Sequence, residues 1–167
     1  MNSMKRIIIV PVDLSLVERI NLSQYSEVYS DILEYRNLET SIGDNGVCSE
    51  VEEPLFPHDP RTVGCWEYDF HCASHGSLSS EEIKIKAEVC GWEVAKAEHL
   101  LALPNFRRMF PVVALGTVCS VRCCHSVLAL RDSPKGCFLI LDSWSDYWAS
   151  NCRFMRVRRL QRLQLVA

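Results

Sequence analysis

Glycine, long apolar runs and net positive charge are all in short supply in this sequence. Only 7 of the 167 residues are glycine and they are not clustered, which argues against a glycine-rich phosphate-binding loop. No apolar run approaches the length of about 18 residues that a membrane-spanning helix needs, and no internal period indicates a repeat array. The 18 basic and 21 acidic residues give a net charge of −3, which argues against a nucleic-acid partner because dedicated nucleic-acid binders are usually basic.

The sequence also lacks the apolar core of a secretory signal. Asp13 ends the apolar run that begins at Ile7, so this run is too short for a signal peptide. We therefore expect a cytoplasmic protein that makes no membrane contact and keeps most of its thiols reduced.

Cysteine, in contrast, is abundant, with 9 residues. An odd number of cysteines cannot pair completely within one chain. Most cysteines in such a protein are small buried hydrophobic groups, but a thiol that a neighbouring base ionises becomes a nucleophile. The chemistry therefore depends on whether one of these thiols lies beside a base.

The length suits a single domain that spans residues 1–167. A helix is predicted from about 23 to 35, where apolar residues lie near helical spacing. Prolines and the pair Asn45-Gly46 predict an irregular loop region over 39–64.

The second half of the chain is predicted to form the core, over residues 79–160. A long helix is predicted to begin after Ser79, because acidic residues follow in its first turn, and to continue until Pro104 stops it. Apolar segments predict strands, which are expected at 7–12, 110–115, 124–130, 137–141 and 154–160. A helix followed by an antiparallel meander predicts an α+β fold.

Two polar residues stand at the ends of neighbouring predicted strands. His125 opens one strand, and Asp142 closes the next strand after a turn at Ser133-Pro134-Lys135-Gly136. In an antiparallel hairpin the start of one strand lies beside the end of its partner, so the imidazole and the carboxylate are expected to meet. A carboxylate on one ring nitrogen orients the imidazole and leaves the other nitrogen free to activate a nucleophile, here a thiol.

These residues resemble a known group of enzymes. The segment from His125 to Leu130, followed by Leu141-Asp142-Ser143-Trp144, resembles the second half of papain-like and transglutaminase-like cysteine enzymes. The resemblance is closest to bacterial transglutaminase-like cysteine peptidases and covers about residues 88–160. It implies a small papain-like fold, no cofactor, a protein or peptide substrate, and tryptophans, here Trp144 and Trp148, that shield the histidine pair from water.

The resemblance also implies a nucleophile. Cys90 lies 35 residues before His125, which is close to the spacing in that family, and would complete a Cys90–His125–Asp142 triad. Cys65 is the alternative, because Gly64-Cys65-Trp66 resembles the Cys-Trp pair of papain-type enzymes. A continuous helix would place Cys90 away from the free N–H groups that stabilise a thiolate, so an active Cys90 requires a helix break, which Gly91 makes possible.

Two other functions remain open. A non-catalytic interaction protein would keep the hairpin only as a scaffold. A small zinc-stabilised module would use one of two groups of cysteine and histidine: Cys65, His71, Cys72 and His75, or Cys119, Cys123, Cys124 and His125. Neither group has the two spaced pairs that are typical of structural zinc, so we predict no metal. The arginines after residue 152 are expected to form a solvated face rather than a binding site.

Overall fold

The computed structural model describes residues 6–12, 14–23, 25, 27–28, 32, 36–42, 48–54, 56, 58–72, 78–104, 110–121, 124–134, 136–144 and 147–160. The strands in this part of the chain are β1 (Arg6–Val10), β2 (Glu27–Val28), β3 (Arg36–Ile42), β4 (Cys48–Pro54), β5 (Gly64–Cys72), β6 (Glu93–Val94), β7 (Val112–Val121), β8 (Cys124–Ser133), β9 (Gly136–Ser143) and β10 (Arg153–Arg159). The helices are α1 (Leu16–Ser23), α2 (Ser80–Val89) and α3 (Ala97–Leu101), with a 3₁₀ turn at Pro60–Thr62.

Seven of these strands form one open, mixed sheet. Their order is β1-β5-β10-β7-β8-β9-β2, and β6 pairs with β10 beside this path. The pairs β10–β7 and β2–β9 are parallel, whereas the other neighbours run antiparallel. Strands β3 and β4 form a separate antiparallel pair. This arrangement of helices on a mostly antiparallel sheet confirms the predicted α+β class.

The end of the chain follows the predicted strand pattern. Strands β7, β8 and β9 form an antiparallel meander, and β10 pairs with β7 and β5. Every strand predicted from an apolar segment is present, although β7 extends to Val121, well beyond the predicted end at residue 115.

The long helix predicted to run from Ser79 to Pro104 is correct at its start and wrong beyond Val89. The Ser79 hydroxyl accepts the Glu82 N–H at 3.2 Å, and the Glu82 carboxylate accepts the Ser79 N–H at 2.8 Å, so a capping box begins α2. The helix ends because Gly91 adopts a φ of 73°, in the left-handed region that favours glycine. Strand β6 and helix α3 take the place of its predicted second half.

The first half of the chain differs most from the predictions. Helix α1 ends at Ser23, and residues 27–28 form a strand beside β9, so the helix predicted over 23–35 is not continuous, although Ser23 and Ile32 are helical. The predicted irregular region at 39–64 contains β4 and most of β3. Asn45-Gly46 is a hairpin-turn signal as well as a loop signal, although both residues lie outside the described part of the chain.

The sheet carries an apolar core on each face. We call one the α3 face, where Trp66, Leu128 and Val157 pack with α3, and the other the α2 face, where Val127 and Phe154 pack with α2. Strand β10 serves both cores, because its side chains alternate between the two faces. Among the described residues, no helix has the length and apolar character to cross a membrane.

Candidate functional site

The β8–β9 hairpin holds the predicted histidine and aspartate on one face of the sheet. Val127 lies opposite Asp142, and the Trp144 N–H donates to the His125 carbonyl at 2.8 Å. Residues opposite each other share a face, and residues two apart along a strand do too. His125 and Asp142 are therefore diagonal neighbours on the α2 face, a relation in which Cα atoms are about 7–8 Å apart.

Each of these two side chains has a different partner. The Asp142 carboxylate accepts from the Arg131 guanidinium at 2.6 Å and from the Ser143 N–H at 3.1 Å. The exposed His125 ring places Nδ1 3.5 Å from the Ser120 hydroxyl, across the β7–β8 pair. Among the described side chains, no hydrogen bond joins the His125 ring to the Asp142 carboxylate. The hairpin therefore brings the pair to one face without linking them as an orienting pair.

Cys90 lies at the C-terminal end of α2 rather than at a helix start. It is the C-cap residue, its thiol side chain is exposed, and Gly91 follows it in the left-handed region. The break that Gly91 produces comes after Cys90, not before it. A sulfur anion at this end meets carbonyl groups and the negative pole of the helix dipole, so the helix gives it no stabilisation.

Cys65, the alternative nucleophile, lies far across the sheet from His125. It is exposed on β5, opposite Ile9 of β1. Strands β10 and β7 separate β5 from β8, and three interstrand steps correspond to about 14 Å. The structure therefore does not bring Cys65 and His125 into contact.

The buried thiols face the apolar cores. Burial raises the pKa of Cys119 to about 11. Burial also raises the pKa of Cys152, and the neighbouring Asp142 carboxylate raises it further. Cys152, which the sequence pattern did not single out, is thus a thiol near Asp142. It belongs to the α2-face core. Thiols of this kind are inert.

Trp144 and Trp148, which the resemblance implies shield the histidine pair, have separate roles. Trp148 is buried, donates its indole N–H to the Ser80 hydroxyl at 2.8 Å, and packs edge-on against Phe154. Trp144 follows directly after β9 and lies opposite His125, and the Lys84 ammonium lies 5.3 Å from the centre of its ring. Trp148 therefore anchors α2 to the sheet, and only Trp144 is beside the histidine.

The two alternative zinc groups are not gathered into tetrahedra in the described part of the chain. No set of three or more described histidine, cysteine or acidic side chains is arranged to hold a metal ion. Cys65 and Cys72 stand at opposite ends of β5, about 23 Å apart in an extended strand. His75 and Cys123 lie outside the described residues.

The arginines of β10 make contacts within the fold. Arg156 bonds to Asp69 at 2.6 Å, Arg158 bonds to Glu67 at 2.9 Å, and both guanidinium groups stack on Trp92. These pairs join β10 to its neighbour β5, so the structure gives these two arginines partners that a solvated face would lack. Arg162 lies outside the described part of the chain.

A second constellation lies on the α3 face, where sequence reasoning proposed nothing. A cavity of about 270 Å³, which we call the α3 pocket, is lined by Arg61, Thr62, Trp66, Glu93, Lys96, His99 and Arg159. Asp59 caps the 3₁₀ turn beneath it, with Pro60 at the first helical position, a pattern that could have marked this turn in the sequence. The remaining lining residues come from distant segments that only the fold brings together.

No known family model, curated protein or solved structure matches this chain. Its function therefore has to be argued from the geometry of these two regions.

Proposed function

We propose that this chain is a non-catalytic interaction domain and that its β8–β9 hairpin is a scaffold. The partner of Asp142 carries this proposal. In a catalytic triad the carboxylate accepts from the imidazole and stabilises the imidazolium ion that forms during the reaction. Here Arg131 holds that carboxylate at 2.6 Å and already neutralises its charge. The histidine is left with a hydroxyl neighbour, which cannot stabilise an imidazolium in the same way.

The positions of the thiols support the same proposal. Cys90 lies at a helix C-terminus, and Cys65 lies on a strand three steps from the histidine strand. A nucleophile must lie within hydrogen-bond reach of its base, even though such contacts are often looser without substrate.

The seven described cysteines are free thiols, which supports a place in a reducing compartment such as the cytoplasm.

The second candidate is a cysteine peptidase or acyl transferase of the transglutaminase-like type. The diagonal placement of His125 and Asp142 on one face favours it, because a triad needs its base and its orienting carboxylate on the same side of the sheet. Cys90 would then attack an amide carbonyl, and His125 would take the thiol proton and return it to the leaving amine. Water or a second amine would release the acyl group from the sulfur.

Thiol reactivity tests both candidates. The protein is treated with limiting iodoacetamide at about pH 6, where only an activated thiol is largely ionised, and each cysteine is followed by mass spectrometry. For a non-catalytic domain we expect slow labelling of the exposed Cys65, Cys90 and Cys124, with none far ahead of the others. We expect His125→Ala to leave these rates unchanged.

One outcome would overturn the proposal in favour of the enzyme. Cys90 would be labelled at least about tenfold faster than Cys124, and His125→Ala would abolish that advantage. His58→Ala is the matched control, because His58 is an exposed histidine that lies against Glu98 of α3. If His58→Ala slowed the labelling of Cys90 as much as His125→Ala, the effect would come from a general change in charge and not from His125.

A further inference from the structure

The α3 pocket is built from five elements of the fold, one of which is β6 with Glu93. The 3₁₀ turn contributes Arg61, the start of β5 contributes Trp66, the end of β10 contributes Arg159, and α3 contributes His99. Trp66 belongs to the α3-face core, so this pocket opens on the side of the sheet opposite His125. Whatever it binds is therefore independent of the chemistry of the hairpin.

His99 forms a neutral wall of this pocket. The residue is only 2% exposed, and its Nδ1 accepts the Lys96 backbone N–H at 3.0 Å. Because Nδ1 accepts, the neutral ring carries its proton on Nε2. That Nε2 is buried and has no hydrogen-bond partner among the described residues. A donor buried this completely is closed to a ligand in the cavity, so His99 contributes a neutral wall to the pocket and not a ligand contact.

The charged groups around the pocket favour an anionic ligand. Arg61, Lys96 and Arg159 are cationic, and Glu93 is the acidic residue in the lining. Asp59, just beneath, binds both Arg61, at 2.9 Å, and Lys96. These five groups together leave one positive charge.

Two of the three cations, Arg61 and Lys96, already bind a carboxylate, that of Asp59. Its carboxylate accepts from the Arg61 side chain through both oxygens and also from Lys96. The third cation, Arg159, donates to the Val63 carbonyl at 3.2 Å and packs against Trp66, and no described carboxylate pairs with it. Arg159 is therefore the cation that a ligand could engage without displacing Asp59.

We propose that the α3 pocket binds a small organic anion, which presents a carboxylate or phosphate group to Arg159 and rests its body on Trp66. Both groups are oxyanions that guanidinium donors recognise. The volume of about 270 Å³ lies just below the usual range of ligand pockets, so it suits a small molecule that is still larger than an inorganic ion. The proposal goes beyond the interaction function and does not depend on it.

Four probes test this proposal by titration into the ¹⁵N-labelled protein. Phenyl phosphate and benzoate share an aromatic body and differ in the oxyanion, benzyl alcohol supplies a similar body without charge, and inorganic phosphate supplies the charge without a body. We expect at least one of the two aromatic anions to bind saturably and to shift the Trp66 indole N–H signal, which reports on the pocket through its bond to the Thr62 carbonyl. The anion that binds more tightly identifies the preferred oxyanion.

Matched variants connect binding to the named residues. Arg159→Gln is expected to weaken binding about tenfold, because one charged hydrogen-bond donor is lost. Asp59→Asn is expected to tighten binding, because it removes the carboxylate that competes for Arg61 and Lys96. Arg131→Gln is the control, since Arg131 is an exposed arginine paired with a carboxylate on the opposite face.

Four results would each overturn the proposal. In the first, neither aromatic anion shifts the Trp66 signal. In the second, benzyl alcohol binds as tightly as benzoate. In the third, Arg131→Gln weakens binding as much as Arg159→Gln. Binding of inorganic phosphate as tightly as phenyl phosphate would reject the organic body and the role of Trp66. None of these results depends on thiol labelling. This proposal can therefore fail while the interaction function stands, and the interaction function can fail while this proposal stands.

Discussion

His99 combines two roles in one side chain. Its Nδ1 accepts the Lys96 N–H three residues earlier, which is the part that glutamate or glutamine plays at the third position of a helix. The same ring packs edge-on against Trp66, with 4.5 Å between ring centres. The cap requires an unprotonated Nδ1, and the burial disfavours a charged ring, so both roles need the neutral form.

This requirement predicts a pH dependence of stability. Burial, followed by the nearby Lys96 charge, lowers the pKa of His99 to about 4, against 6.5 for a free histidine. Between these two values the unfolded chain binds a proton that the folded chain does not, so stability falls as the pH decreases from about 6.5 to 4. The loss due to His99 is up to about 3 kcal/mol. Urea unfolding at a series of pH values measures it.

His99→Gln isolates this contribution. Glutamine can still accept the Lys96 N–H, but it does not titrate. Burial also lowers the pKa of His71, which adds a loss of the same sign in both proteins. We therefore expect the free energy of unfolding of the variant to fall less over this pH range than that of the wild type. Parallel curves for the two proteins would contradict the assignment to His99.

At the scale of elements, β7 bends to admit the segment between β6 and α3. The register of β7 with β8 shifts between Ala114 and Val118, and within this bulge the Gly116 N–H donates to the Ala95 carbonyl at 2.8 Å. A Cβ atom on Gly116 would lie 2.8 Å from the carbonyl oxygens of both Val94 and Ala95. These are backbone atoms, so they cannot move aside without disturbing β6.

Gly116→Ala is therefore expected to destabilise the protein strongly. Overpacking against backbone costs about 3 kcal/mol at the upper end of its usual range. The free energy of unfolding in urea measures this loss, and an unchanged value would show that β6 does not approach β7 closely in solution.

Gly91→Ala is the matched comparison. Nothing lies within 4 Å of a Cβ atom at this position, but the φ of 73° strains any residue with a side chain. The expected loss is about 1 kcal/mol, from backbone strain alone. If both substitutions cost the same, backbone conformation rather than close approach would explain the two glycines.

Local sequence signals predict the elements that local interactions determine. The capping box at Ser79 predicts the start of α2, and apolar segments predict the strands of the meander. Strand β5 also had a local signal, because Trp66, Tyr68 and Phe70 alternate with polar residues, but the predictions did not use it. The break after Val89 was not predictable from periodicity, because apolar residues at similar spacing continue in β6 and α3.

At the scale of the whole molecule, topology decides which residues meet. His125 and Asp142 belong to one hairpin, so their shared face was predictable from sequence, but Arg131 as the partner of Asp142 was not. The α3 pocket joins Arg61 to Arg159, which are nearly a hundred residues apart, so no local pattern could indicate it. A candidate site is predictable to the extent that its residues are close in sequence.

The single sheet also connects the two cores through β10. Phe154 and Met155 are consecutive and fully buried, one in the α2-face core and the other in the α3-face core. The same backbone thus carries the packing of both faces, which favours one cooperative unit over two that unfold separately. Trp148 on one face and Trp66 on the other can report on each core.

Phe154→Ala and Met155→Ala test this cooperativity. Each removes a large buried side chain and is expected to lower the free energy of unfolding by about 3 kcal/mol. Because β10 joins the cores, we expect each substitution to lower the unfolding midpoint of both tryptophans equally, although each cavity lies on one face. Urea titrations of fluorotryptophan-labelled protein, followed by ¹⁹F NMR, resolve Trp66 and Trp148 separately. If Phe154→Ala moved the midpoint of Trp148 alone, the two faces would unfold independently.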